Sequence, residues 1–226
     1  MGYMDIDKKL VETALRYDGN DERRCKKVLY LLNIGADVDA KDEFGTPLIV
    51  RLMASEKHDC VSKILLENGV DVNETDKTWK TALMLACKYG SIEIIECLLN
   101  KKARLEAIDR QNWTALFYAS YYGRDEVVKL LIKKGAFVNH KAYGEICITP
   151  LMASCVGWKC NNNYKETIRA LIENGADMMI KNKDGENVLD FAKNSRNDEL
   201  LAFLKEEKNK LGGTWNLTNL WGKLGR

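Results

Sequence analysis

Few side chains in this 226-residue sequence could do acid–base, nucleophilic or metal chemistry, and they are scattered. The two histidines, His58 in SEKHDC and His140 in VNHK, stand far apart among polar neighbours. There an imidazole reads as a solvated loop residue rather than a base or ligand. Cys155 and Cys160 are close in sequence but have no local histidine to complete a zinc site or a catalytic dyad. Seven cysteines, an odd number without C-x-x-C, give neither a zinc ribbon nor a full disulfide framework. Several lie among apolar residues, as in MLACKYG and IIECLLN, and are expected to be free, reduced core thiols. There is no Walker loop, no strand followed by G-x-G-x-x-G and no H-E-x-x-H. Carboxylates alternate with lysine, as in KEEKNK, which is the pattern of a solvated helix face. The expectation is a non-enzyme with no catalytic residue, no metal and no cofactor.

Composition narrows the class further. Hydrophobic residues make up 46% and charged residues 30%, the balance of a folded globular chain with a sizeable core. A net charge of +2 gives no reason to expect nucleic acid or an anionic membrane as the main partner. No apolar run suits a signal peptide or a membrane span, so the expected location is cytoplasmic, delivery into a host cytosol being left open.

What must position these residues is a repeat. TALMLACKYG (81–90) returns as TALFYASYYG (114–123), and related phrases begin at Asp42, Ile148 and Asp184. The other half of the unit recurs as LLNIGADVDA, LLENGVDVNE, LIKKGAFVNH and LIENGADMMI, so one unit occurs about six times. Thr46 and Thr149 precede the only two prolines, Pro47 and Pro150. Thr caps a helix with its hydroxyl, and Pro suits the first helical position. A short helix follows, in which Ala86 or Ala119 admits a close neighbour. Ile92, Ile95, Leu98 and Leu99 then give the apolar spacing of a second helix. Gly35, Gly69, Gly135 and Gly175 end that helix with a left-handed residue.

The unit resembles the ankyrin repeat, with its 33-residue period and T-P-L signature, over residues 5–208. The resemblance implies an all-α solenoid of stacked helix-turn-helix units with projecting hairpin loops, occupying 1–211 and followed by a tail at 212–226. Terminal units of a stack need polar outer faces. Lys27 stands where inner repeats carry Ile94 and Val127, and Lys205 where they carry Leu99 and Ile132.

The resemblance also implies a protein or peptide partner held on a concave face by hairpin tips and first helices. Carried across, the contact positions are Asp42, Glu43 and Met53 in repeat two, and Lys77, Thr78, Trp79, Lys80, Lys88 and Tyr89 in repeat three. Repeat four gives Arg110, Gln111, Trp113, Tyr121 and Tyr122, and repeat five gives Tyr143, Ile146 and Trp158. Tyr, Trp and Arg are the residues that dominate interface energies. Trp79 and Lys102 replace two expected glycines, which puts the turn at Trp79 in question. Repeat five carries insertions around 142–148 and 157–164, read either as loop drift or as an elaborated binding surface. In the tail, Trp215 precedes Leu217, Leu220, Trp221 and Leu224, which share one face of a short helix. The expected state is a monomer. The alternative is an assembly role in which this tail mediates self-association or docks into a larger complex.

Overall fold

The computed structural model describes residues 5–17, 19–54, 59–89, 91–143, 147–157, 164–194 and 196–212. The helices are α1 (Ile6–Leu15), α2 (Asp21–Asn33), α3 (Leu48–Leu52), α4 (Asp59–Glu67), α5 (Ala82–Tyr89) and α6 (Ile92–Asn100). They continue as α7 (Ala115–Tyr121), α8 (Asp125–Lys133), α9 (Pro150–Gly157), α10 (Tyr164–Glu173), α11 (Val188–Asn194) and α12 (Asp198–Gly212). Among the described residues there is no strand beyond two isolated bridges, Lys41–Pro47 and Thr75–Thr81. The architecture is the all-α solenoid expected, with two helices in each of six repeats.

The caps explain where each first helix begins. The hydroxyls of Thr81, Thr114 and Thr149 accept from the N–H groups of Met84, Phe117 and Met152, each at 3.3 Å. Asn187 does the same for Asp190 at 3.2 Å. Repeat two differs from expectation. There α3 starts at Leu48, and Pro47 itself holds the cap position at φ −55°, ψ 137° with no side-chain cap bond. At the other end of the unit, Gly35 (φ 101°) donates to Leu32 and Ala36 to Leu31, closing the last turn of α2. Lys102 takes the same left-handed conformation (φ 66°) with the same pair of bonds, to Leu99 and from Ala103 to Leu98.

First helices stack in one row, α1 on α3, α5, α7, α9 and α11, each touching the next. Second helices form another row, with α2, α4 and α6 in contact and α8, α10 and α12 in contact. Ala86, Ala119 and Ala153 are buried between first helices, so the short side chain permits the close stack. The apolar core runs the length of the stack through Leu48, Leu83, Phe117, Met152 and Leu204.

A polar ladder sets the register of the loops. Asp7, Asp39, Asn73, Glu106 and Asn139 each accept from a backbone N–H of the next repeat, at Asp37, Asp71, Arg104, Phe137 and Asp177, over 2.7–3.0 Å. These bonds satisfy loop donors that no helix reaches. The ends of the stack are polar, and Lys27 and Lys205 are exposed as their cap positions require.

Seven free thiols were expected, and one pair corrects this. Cys25 in α2 and Cys60 in α4 are joined as a disulfide, their Cα atoms 6.6 Å apart. Their separation of 35 residues is about one repeat, which sets them opposite each other on adjacent second helices. Cys87, Cys97 and Cys155 are free thiols.

Candidate partner-binding surface

Each projecting loop is built on one acceptor. Asp42 Oδ1 accepts from the N–H groups of Phe44 and Thr46, both at 2.9 Å. Asp76 repeats the turn with Thr78 (2.7 Å) and Lys80 (3.0 Å), and Asp109 with Gln111 (2.8 Å) and Trp113 (3.0 Å). Asn182 serves the last repeat through Asp184 and Glu186. Repeat five has Ala142 at this place, which offers no side-chain acceptor, and its longer loop keeps the backbone bond, from Ala142 N–H to Ile148, that the other turns also make.

Such turns leave the residues after the acceptor projecting. Glu43, Lys77, Thr78, Trp79, Arg110, Gln111 and Tyr143 are exposed, Tyr143 at 74%. Trp79 keeps the ordinary turn despite replacing glycine: its N–H donates to Asp76 and its φ is 66°. The Arg110 guanidinium stands 5.9 Å over its ring, and the Arg110 N–H donates to Thr78, so the tips of repeats three and four touch. His140 is not simply solvated as expected. It is half-buried, with Nε2 2.9 Å from the Asn112 carbonyl, tying loop four to loop five.

Other expected contact residues are placed inward. Met53 is buried, at 5% exposure, and belongs to the core. The Asp42 carboxylate is spent on its own turn and lies 3.7 Å from Arg51. The repeat-four aromatics form a packed row: Trp113 stacks on Phe117 at 4.5 Å and tilts on Tyr121 at 5.6 Å, which meets Tyr122 edge-on. Trp113, Tyr121 and Tyr122 are half-buried against the core, as are the Tyr89, Lys80 and Lys88 side chains in their own surroundings. Beneath them Tyr118 donates to Asp109 Oδ2 at 2.7 Å, and burial, then this bond, pushes its phenol well above the usual range. Lys88 lies about equally over Tyr89 (5.0 Å) and Tyr122 (5.1 Å). Burial disfavours its charge, but the two phenols outweigh that and raise its pKa.

Sequence reasoning missed Phe44, 60% exposed at the tip of loop two, and the exposed lysines Lys141, Lys181 and Lys183. The repeat register was the available signal, since Phe44 falls where Thr78 and Gln111 do. Ile146, Trp158, His58, Cys160 and the tail residues Trp215, Leu217, Leu220, Trp221 and Leu224 lie outside the described residues. Among the described residues no three His, Cys, Asp or Glu side chains converge as a metal site, and no helix is long and apolar enough to cross a membrane.

Comparison with known proteins agrees with this geometry. A family profile described as ankyrin repeats in three copies matches residues 14–104 and 51–142, and a single ankyrin repeat profile matches 148–183. A putative ankyrin repeat protein of Acanthamoeba polyphaga mimivirus is 37% identical over 113 residues, 47% of this chain and 67% of its own. Dog inversin is 29% identical over 177 residues, 76% of this chain but only 15% of inversin. An ankyrin repeat domain of Acinetobacter baumannii superposes with a TM-score of 0.73 at 25% identity, covering 88% of this chain and 97% of that one.

Proposed function

The chain belongs to the ankyrin repeat family, and on that premise we propose that it is a non-catalytic module holding a protein segment on its loop and first-helix face. One observation carries the reading. Trp79 is 55% exposed at a loop tip while its backbone sits at φ 66°. A bulky residue in the left-handed region costs folding energy that glycine would not, and such costs persist where a side chain has a use. The use that fits an exposed indole beside an arginine is partner contact. Glu43, Lys77, Thr78, Arg110, Gln111 and Tyr143 extend the same surface, while Trp113, Tyr121 and Tyr122 support it from below. Asp42 shapes the surface through its turn rather than through contact.

The test is site-specific photocrosslinking in cells that make the protein. A photoreactive residue at Thr78 or Gln111 is expected to give a discrete protein adduct that Trp79→Ala removes. The same residue at Glu96, on the second-helix row, is expected to give none. Adducts from Glu96 alone would move the binding face to the opposite side and end this reading.

A further inference from the structure

We infer that the loops of repeats three to six receive an acidic, extended protein segment that carries an apolar side chain. The inference rests on the loop face being the binding surface and adds the chemistry of what binds there. Its basis is a sign asymmetry. Lys77, Lys80, Arg110, Lys141, Lys181 and Lys183 stand on these loops, five of them exposed and Lys80 half-buried. None of the six forms an ion pair with another described residue. Four carboxylates nearby are already engaged. Asp76 and Asp109 close their own turns, Glu106 accepts from the Phe137 N–H, and Glu186 accepts from Asn182 and Asn194. Asp184 is the one exposed carboxylate among the described residues 75–80, 108–113, 140–143 and 181–186.

Several cations on the second helices are neutralised locally. Lys63, Lys129 and Arg169 are paired with Glu93, Glu126 and Glu166. The loop face of repeats three to six therefore carries a local excess of exposed cations over exposed carboxylates, which steers and selects a negative partner. In the slot after each turn acceptor the residues run Glu43, Lys77, Arg110, Tyr143, Lys183, so the charge reverses at repeat two. That reversal gives the segment a direction, with its acidic stretch over repeats three to six. Trp79 and Tyr143 supply exposed aromatic surface for the apolar side chain.

Spacing favours peptide over nucleic acid. Stacked helices lie about 8–10 Å apart, so successive loops offer about one cation for every three extended residues. A duplex, by contrast, carries one phosphate charge for about every 1.7 Å of its axis and rewards a denser array of cations. The chain's own residues 213–226 carry Lys223 and Arg226 and no acidic side chain, so they do not complement this strip.

The probe is a fluorescein-labelled peptide of roughly ten residues, enough to pass four loops at about 3.3 Å per residue. It is made of Asp and Glu around a central Phe, and is compared with a peptide in which Asn and Gln replace the acids. Fluorescence anisotropy on the full chain is expected to show the acidic peptide binding about tenfold tighter, the sum of several modest exposed ion pairs. That preference should shrink with added salt. The double variant Lys77→Glu/Arg110→Glu, checked for folding by circular dichroism, should abolish it, and Lys133→Glu on α8 should not. Amide shifts of the labelled protein separate the possible failures. Equal binding of both peptides, with shifts at Trp79 and Arg110, overturns the acidic inference and leaves the surface reading standing. Shifts confined to α6 and α8, or no binding of any peptide, overturn both. Displacement of the acidic peptide by a single-stranded oligonucleotide at lower concentration overturns the inference in favour of nucleic acid.

Discussion

Trp79 and Lys102 ask the same question of the backbone, since both sit at φ 66° where most other repeats place glycine or asparagine and repeat five places Cys147 at φ 52°. A non-glycine residue there costs about 1 kcal/mol. Lys102→Gly is expected to raise the unfolding free energy by that amount, read as a higher urea midpoint, and leave binding unchanged, because Lys102 ends a second helix. Trp79→Gly is expected to give a similar gain in stability and a loss of partner or peptide affinity. If both variants lower the midpoint, the left-handed geometry is relaxed by contacts of the native side chains. Gly157 is the opposite case. A Cβ there would fall 2.2 Å from the Tyr121 carbonyl oxygen and 2.4 Å from the Tyr164 hydroxyl. Gly157→Ala must therefore break the 2.9 Å bond from Tyr164 to Tyr121 that ties α10 to α7. The expected loss is about 2–3 kcal/mol, measured by equilibrium urea unfolding.

At the scale of the element, the first helices bury groups that resist ionisation. Cys87 in α5 is pushed well above the usual thiol range by burial, and Cys155 in α9 is pushed up to about 12 for the same reason. Tyr118 in α7 is raised by burial and then by Asp109. Each folded value lies above its unfolded one, so the fold favours the protonated form. Stability from these groups is complete below the unfolded thiol pKa of about 8.5 and is lost as pH rises through the folded values. Urea midpoints should be flat from about pH 7 to 8 and fall above about 9, the unfolding free energy dropping by up to about 1.4 kcal/mol per pH unit for each ionising group. Cys87→Ala with Cys155→Ala should flatten the first part of that fall; an unchanged slope would mean the thiols are reached by solvent. The aromatic row makes a second demand on α7. Trp113 is half-buried and stacked, so Trp113→Ala should cost about 2 kcal/mol of stability. A loss of affinity in that variant without a loss of stability would place the indole in contact with partner instead.

At the scale of the whole molecule, each repeat touches only its neighbours, so stability is a sum along the stack. The two ends are closed by different polar devices. Arg24, 3% exposed, pairs with Asp21 at 2.6 Å at one end. Glu207, 6% exposed, holds Arg169 and Lys210 at 3.2 and 3.0 Å at the other. Because α12 closes the stack and every core contact described above lies before residue 213, removing residues 213–226 is expected to leave the melting temperature within about one or two degrees. Sedimentation of the full and shortened chains tests the assembly role. A monomer in both cases retires it, and an oligomer lost on shortening establishes it for the tail.

The sequence by itself determined the repeat and its helices, because the signals are local. A threonine hydroxyl reaches an N–H three residues on, and a glycine ends a helix whatever lies around it, so Thr114, Thr149, Gly35 and Gly135 could be read in isolation. Charge pattern and the absence of catalytic spacing were legible for the same reason. What only the tertiary structure decided is which side of each element faces a neighbour. Met53 and Tyr121 occupy slots that face outward in an isolated repeat, yet stacking buries Met53 and half-buries Tyr121. Cys25 and Cys60 meet only because adjacent second helices align nearly one period apart. His140 became a link between loops, and Asp42 a turn acceptor, through bonds to residues whose distance the sequence does not encode. The cations of loops three to six likewise stand out only once Asp76, Asp109, Glu106 and Glu186 have been assigned to the hydrogen bonds they make.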